Sequence, residues 1–160
     1  GQFDVGESNC GTFSVSHDAA DPIGINVFAG NDKATIVTDT GVISDDILRR
    51  IDDTTLLVLE ANYDPHMLRF GPYQPFLKQR VASDEGHLSN EMAAQALLMM
   101  KRPDFMQVIL AHRSENNNNS VLVTQTIGKM LVDGGVRIGP EMKLQHGQPN
   151  EIVSIQSVKR

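Results

Sequence analysis

Val108-Ile109-Leu110-Ala111-His112-Arg113-Ser114-Glu115-Asn116 is an apolar run that breaks off on a histidine. A short apolar run bounded by polar residues reads as a buried strand. The strand is expected over Phe105 to Ala111, and it hands His112 to the loop that follows. Working outward, the same arrangement recurs. Ala34 to Val37 is a buried strand leading to Thr38-Asp39-Thr40-Gly41, and Thr12 to Ser16 alternates as a strand before His17-Asp18-Ala19. Leu56 to Leu59 is a further wholly apolar run, and it ends at Glu60-Ala61-Asn62. Residues at the carboxyl ends of strands can meet at one site although they are far apart in sequence.

The remaining elements fill in around these strands. Gly1 to Gly11 has no clear periodicity and reads as a connecting loop. Ile23 to Ala29 alternates as a strand after the Asp21-Pro22 turn, and Gly30-Asn31-Asp32-Lys33 suits a hairpin turn. Ser44-Asp45-Asp46 opens a helix over Ile47 to Ile51. Gly71, Pro72 and Pro75 break the chain before a helix over Phe76 to Ala82. Ser89 caps a helix from Asn90 to Lys101, which Arg102-Pro103 stops. A helix over Ser120 to Val132 ends at Gly134-Gly135, and Glu151 to Val158 alternates as a last strand. The expected fold class is α/β (α+β), a mixed sheet with helices on one face, and residues 1–160 form one domain without repeats.

Composition narrows the function. The chain is 40% apolar and 21% charged, as a globular domain is, and its formal charge is −6. That charge argues against broad adhesion to nucleic acid or anionic membranes. It leaves room for a phosphodiester substrate, because a bound dication adds local positive charge. No apolar run approaches the ~20 residues that span a bilayer, so no membrane partner is expected. The lone Cys10 excludes an internal disulfide and fits a cytoplasmic protein.

The polar residues at the strand ends carry the chemistry. His17, Asp39 and His112 offer imidazole and carboxylate, the donors that suit zinc, manganese or iron. A carboxylate at Asp39 can bridge two cations. Asp18 or a backbone carbonyl would fix the tautomer of His17. His87, in Gly86-His87-Leu88-Ser89-Asn90, is placed to act as a general acid or to donate to an oxyanion, with Glu60 to orient it. Taken singly, each has a plainer reading: a turn histidine, an Asx-turn, a rim histidine, a helix cap. Lys78 and Arg80 read as a solvated helix face, and His66 and His146 carry no pattern.

The segments His17-Asp18-Ala19, Asp21-Pro22, Gly24, Thr38-Asp39-Thr40-Gly41 and Glu60-Ala61-Asn62 together resemble the YycJ/WalJ group of metallo-β-lactamase-fold hydrolases. So do Leu68 to Tyr73, Leu77-Lys78-Gln79-Arg80, Gly86 to Asn90 and Leu110 to Asn117. Gly-His-Leu-Ser-Asn followed by Ala-His-x-Ser-Glu-Asn-Asn is the specific combination. The resemblance implies half of an αββα sandwich with a two-metal site at one edge. Its metal motifs would match His17, Asp39 and His112, with Asp39 as the bridge, and His87 would assist catalysis. The family's upstream His-x-His-x-Asp-His motif does not occur in these 160 residues, and Tyr63 stands where the family usually has histidine.

The expectation is therefore the carboxyl-terminal portion of a metallohydrolase. When complete it would use two divalent ions, Zn²⁺ or Mn²⁺, on DNA or another phosphodiester, as a phosphodiesterase or 5′-to-3′ DNA exonuclease. Its partner would be the missing upstream half of the fold, and the isolated chain is expected to be inactive. Two rivals stand beside this reading: a non-catalytic pseudoenzyme or binding subunit that pairs with another chain, and a two-metal hydrolase of an ester or lactam bond.

Overall fold

Leu57 and Leu59 are fully buried, whereas Leu56 and Val58 between them are half-buried, so strand residues alternate between a closed face and a more open one. The computed structural model describes residues 1–155 and extends this division across one sheet. Seven strands lie in sequence order: β1 (Gln2–Val5), β2 (Ser8–Ser14), β3 (Ile23–Ala29), β4 (Asp32–Val37), β5 (Leu56–Glu60), β6 (Met106–Ala111) and β7 (Met142–His146). Strands β1 to β4 pair antiparallel, and β4 to β7 pair parallel. Because β2 is two antiparallel steps from β4, it runs in the same direction as β4 to β7. The chain after β2, β4, β5, β6 and β7 therefore leaves from one edge of the sheet.

Register sets what each face carries. Val37, Leu59 and Leu110 are cross-strand partners in one row, all buried. Against that face pack α1 (Asp45–Ile51), α4 (Asn90–Met99) and α5 (Ser120–Asp133), which contribute Ile47, Ile51, Leu97, Ile127 and Leu131 to the same core. The opposite row joins Ile25, Ile36, Val58 and Ile109. Among the described residues, none of this row joins the main core cluster, and Ile36 is 41% exposed and Ile23 46%. Two short helices, α2 (Pro65–Phe70) and α3 (Pro75–Val81), form a satellite cluster through Leu68, Val81, Tyr73, Leu77 and Tyr63.

The mixed sheet with helices is as expected, and three local readings need correction. Gly1 to Gly11 is not a loop: β1 and β2 form a hairpin in which Val5 pairs with Ser8 across Gly6, whose φ is +60°. All of β1 is exposed, so burial imposed no hydrophobic period on it. The last described strand is Met142–His146 rather than Glu151 to Val158; residues 151–155 lie in no strand, and 156–158 fall outside the described residues. Helix α2 was not expected, although Asp64 caps it through the Met67 N–H and Pro65 takes the first turn. Among the described residues, no helix is long and apolar enough to cross a membrane.

Candidate metal centre

The carboxyl edge of the sheet gathers the polar signatures. The Gly41 N–H donates to the Ser16 carbonyl at 2.9 Å, and the Ser16 N–H donates to the buried Thr40 hydroxyl at 3.3 Å. These bonds tie the loop of His17 to the loop of Asp39. A Cβ on Gly41 would overlap the Ser83 carbonyl and the Asp84 backbone. Gly41→Ala is therefore expected to cost about 1–3 kcal/mol, as overpacking does. Denaturant unfolding checks this, and a loss under about 0.5 kcal/mol would contradict the tight approach.

Asp39 and His112 both adopt left-handed backbone conformations, with φ of 55° and 51°. Such torsions are uncommon in non-glycine residues, asparagine and aspartate being the most tolerant, and they cluster at functional sites. Asp39 Oδ1 lies 3.7 Å from His17 Nε2 and 3.6 Å from His112 Nε2. One carboxylate thus stands between the outward nitrogens of two imidazoles. His17 Nδ1 sits 3.0 Å from the Gly86 carbonyl, so a backbone carbonyl rather than Asp18 fixes its tautomer. Asp18 instead receives a bidentate ion pair from Arg80, which removes Arg80 from a purely solvated role. That pair lowers the Asp18 pKa and raises that of Arg80.

Glu60 is the hub of the site, and its side chain is fully buried. Its Oε1 accepts from the Nδ1 of both His87 and His112, each at 2.7 Å, and its Oε2 accepts from the Thr40 N–H at 3.1 Å. A carboxylate only accepts, so both imidazoles carry their proton on Nδ1 and turn Nε2 outward. Burial pushes the Glu60 carboxyl up. The hydrogen bonds from His112, His87 and Thr40 outweigh burial, and the net pKa lies below the ordinary carboxylate value. The Glu60 hydrogen bond raises the His112 pKa against its partial burial, with the Glu60 and Asp39 charges adding to the rise.

Sequence reading brought His17, Asp39, Glu60, His87 and His112 forward, and the structure places all five together. The His17–His87 and His87–His112 ring centroids are 5.0 and 5.2 Å apart. Potential ligand atoms of His17, Asp39 and His87 lie within 4.8 Å of one another, and so do those of Glu60, His87 and His112. Imidazole nitrogens held from behind, beside a carboxylate, are a donor set that fits a divalent transition metal.

Several supporting residues escaped sequence reading. The Asn62 amide donates to the His112 carbonyl at 2.8 Å. Asn90 and Asn118 exchange side-chain amide bonds while buried, and Asn118 also donates to the Ala61 carbonyl. These bonds fasten the loop after β6 to that after β5; the asparagine run 116–119 was the available signal. Tyr63 packs into the α2–α3 cluster with Leu68 and Val81, and burial raises its pKa, with Glu91 and Glu60 adding to the rise.

A mixed sheet with helices on its closed face and this edge site defines the class, the metallo-β-lactamase fold. The chain is similar to the metallo-β-lactamase fold protein YhfI from Bacillus subtilis, with a TM-score of 0.64 at 11% identity, over 92% of this chain and 50% of that one. It is also similar to Zn²⁺-bound PqqB from Methylobacterium extorquens, with a TM-score of 0.59 at 17% identity, over 91% and 47%. No protein-family model matches the chain.

Within that class the sequence is YycJ/WalJ-like. It is 34% identical to the exodeoxyribonuclease YycJ of Bacillus anthracis, over 96% of this chain and 58% of the relative. It is 32% identical to the exodeoxyribonuclease WalJ of Streptococcus pneumoniae D39, over 91% and 54%. The chain thus spans little more than half the length of the curated relatives it matches.

Proposed function

We propose that this chain supplies part of the active site of a two-metal phosphodiester hydrolase, a cytoplasmic 5′-to-3′ DNA exonuclease when complete. The observation that carries the reading is the shared Glu60 carboxylate. It holds His87 and His112 by their Nδ1 atoms while Asp39 stands between the Nε2 atoms of His112 and His17. Exodeoxyribonuclease relatives favour a DNA phosphodiester over an ester or lactam.

Each residue has a distinct task. His17, Asp39 and His112 would hold two divalent cations, Zn²⁺ or Mn²⁺, which supply Lewis acidity and an activated water when bound. Asp39, whose Oδ1 faces both His17 Nε2 and His112 Nε2, would be the carboxylate shared between the two cations. Glu60 keeps the His112 ring turned outward and prevents it from presenting Nδ1. His87, anchored by the same oxygen, presents Nε2, and in its protonated form passes that proton to the leaving oxygen.

The chain's own donors are too few for two closed sites, since a catalytic zinc takes three protein ligands. The reading assigns the remaining donors to an upstream half of the fold, which would also cover the open sheet face where Ile23 and Ile36 are exposed. The 160-residue chain alone is accordingly expected to lose added Zn²⁺ or Mn²⁺ on dialysis and to show no turnover. The whole protein should retain metal and shorten 3′-labelled DNA from its 5′ end. Elemental analysis and a gel assay test both; a fully metal-loaded, active isolated chain would overturn the division of the site.

A further inference from the structure

Residues 65–82, which run through α2 and α3, carry His66, Arg69, Lys78 and Arg80 and no aspartate or glutamate. In a chain with 20 acidic residues and a formal charge of −6, that stretch stands out as basic. Asp18 matches Arg80. Arg69 and Lys78 have no such partner among the described residues; the Lys78 ammonium instead donates to the Arg69 carbonyl at 2.8 Å and ties the two helices together. Of the flanking acids, Asp64 accepts from the Met67 N–H as the cap of α2, and Asp84 and Glu85 come only after α3 has ended.

The same stretch exposes two large rings. Phe70 is 67% exposed and Phe76 70%, although Leu68, Tyr73, Leu77 and Val81 already give the two helices a core of their own. Neither phenylalanine belongs to the open row of Ile25, Ile36, Val58 and Ile109 on the sheet. The Arg69 guanidinium lies 5.4 Å from the centre of the Phe70 ring, which puts a cation and a π-face in one place. Single-stranded nucleic acid uses both features, because aromatic rings take unpaired bases while cations track the phosphates. An anionic membrane would also take phenylalanine beside basic residues. The position of the face favours the strand: Tyr73 and Leu77 of the same cluster wall a cleft of about 370 Å³ that His87 and His112 also line.

We propose that the outer face of α2 and α3, outside that cleft, is a binding platform for single-stranded DNA. Phe70 and Phe76 take bases of nucleotides beyond the one being cut, and Arg69 and Lys78 take phosphates between them. The inference rests on the nuclease reading and adds a second contact region to it, one that rewards strand length and ignores sequence. Each stacked base corresponds to about fivefold or more in affinity, so two correspond to about thirtyfold.

The test uses the whole protein in excess EDTA, titrated with a fluorescent decathymidylate and a fluorescent dithymidylate. Phe70→Ser/Phe76→Ser should weaken binding of the long strand about thirtyfold and leave that of the short one unchanged. Tm, the metal content of the reloaded protein and its hydrolysis of bis(p-nitrophenyl) phosphate should not move. Arg69→Gln should lower the slope of log Kd against log salt by about 0.7, one phosphate contact on a single strand, and Arg69→Lys should restore it. Unchanged decathymidylate affinity in the phenylalanine variant overturns the proposal, as does an unchanged salt slope in Arg69→Gln. A fall in Tm, metal content or hydrolysis of the small ester also overturns it, by assigning the rings to assembly of the fold. Binding to phosphatidylglycerol vesicles that the phenylalanine variant loses, with its strand affinity intact, gives the face to a membrane instead. Turnover of DNA by the whole protein alongside any of these results leaves the nuclease reading standing. No strand binding and no turnover removes both.

Discussion

Glu60→Gln is expected to lower turnover of the whole protein on the order of 10³-fold, and to weaken metal retention as well. Three N–H donors converge on the Glu60 carboxylate: two imidazole Nδ1 atoms on Oε1 and the Thr40 amide on Oε2. An amide has a single acceptor oxygen. If that oxygen stays with the histidines, the new NH₂ faces the Thr40 N–H; if the amide turns over, it faces both histidines. Either way a buried donor is left without a partner, at a cost of about 1–3 kcal/mol. The histidines lose their common anchor, so the site suffers more than the fold. A variant with near-normal kcat and full metal content would refute the hub role.

The same pair has a defined pH behaviour. The Glu60 pKa is lowered, so its contribution to stability is present above the ordinary carboxylate value and is lost as pH falls through the folded value. The His112 pKa is raised, so its contribution is full below the ordinary imidazole value and is lost as pH rises through the folded value. In the metal-free protein the stability gap between wild type and Glu60→Gln should therefore be widest between about pH 4.3 and 6.5. Metal runs the other way, because it needs a neutral His112 and displaces its proton. Retention should rise with pH above that window.

What could be read in advance depended on how strongly burial marks a segment. Strands β4, β5 and β6 lie in the middle of the sheet, and their apolar runs stop abruptly where the chain leaves the edge. Asp39, Glu60 and His112 stood out for that reason. Strand β7 buries only Met142 fully, and β1 buries nothing, so neither carried a period to detect. The role of Glu60 toward His87 was legible from residue type. Its bond to His112 was not, because it follows from the parallel register that sets Glu60 beside Ala111, one residue before the histidine.

Asp39→Asn should separate metal holding from folding more cleanly than any other change at the edge. Asp39 has a φ of 55°, a torsion that asparagine tolerates nearly as well as aspartate. The loop should therefore keep its path, and the metal-free Tm, measured in chelator, should stay close to wild type. Alanine lacks that tolerance, so Asp39→Ala adds about 1–3 kcal/mol of backbone strain to the chemical loss. The chemical loss is common to both variants. A bridging carboxylate must present an anionic oxygen to each side, and the amide offers one neutral oxygen. Removing several kcal/mol of transition-state stabilisation corresponds to a fall in turnover on the order of 10³-fold or more. Elemental analysis should show metal content falling for both variants, with only Asp39→Ala melting lower in chelator. Full metal content and turnover in Asp39→Asn would show that the carboxylate 3.6 Å from His112 Nε2 and 3.7 Å from His17 Nε2 is not the bridge.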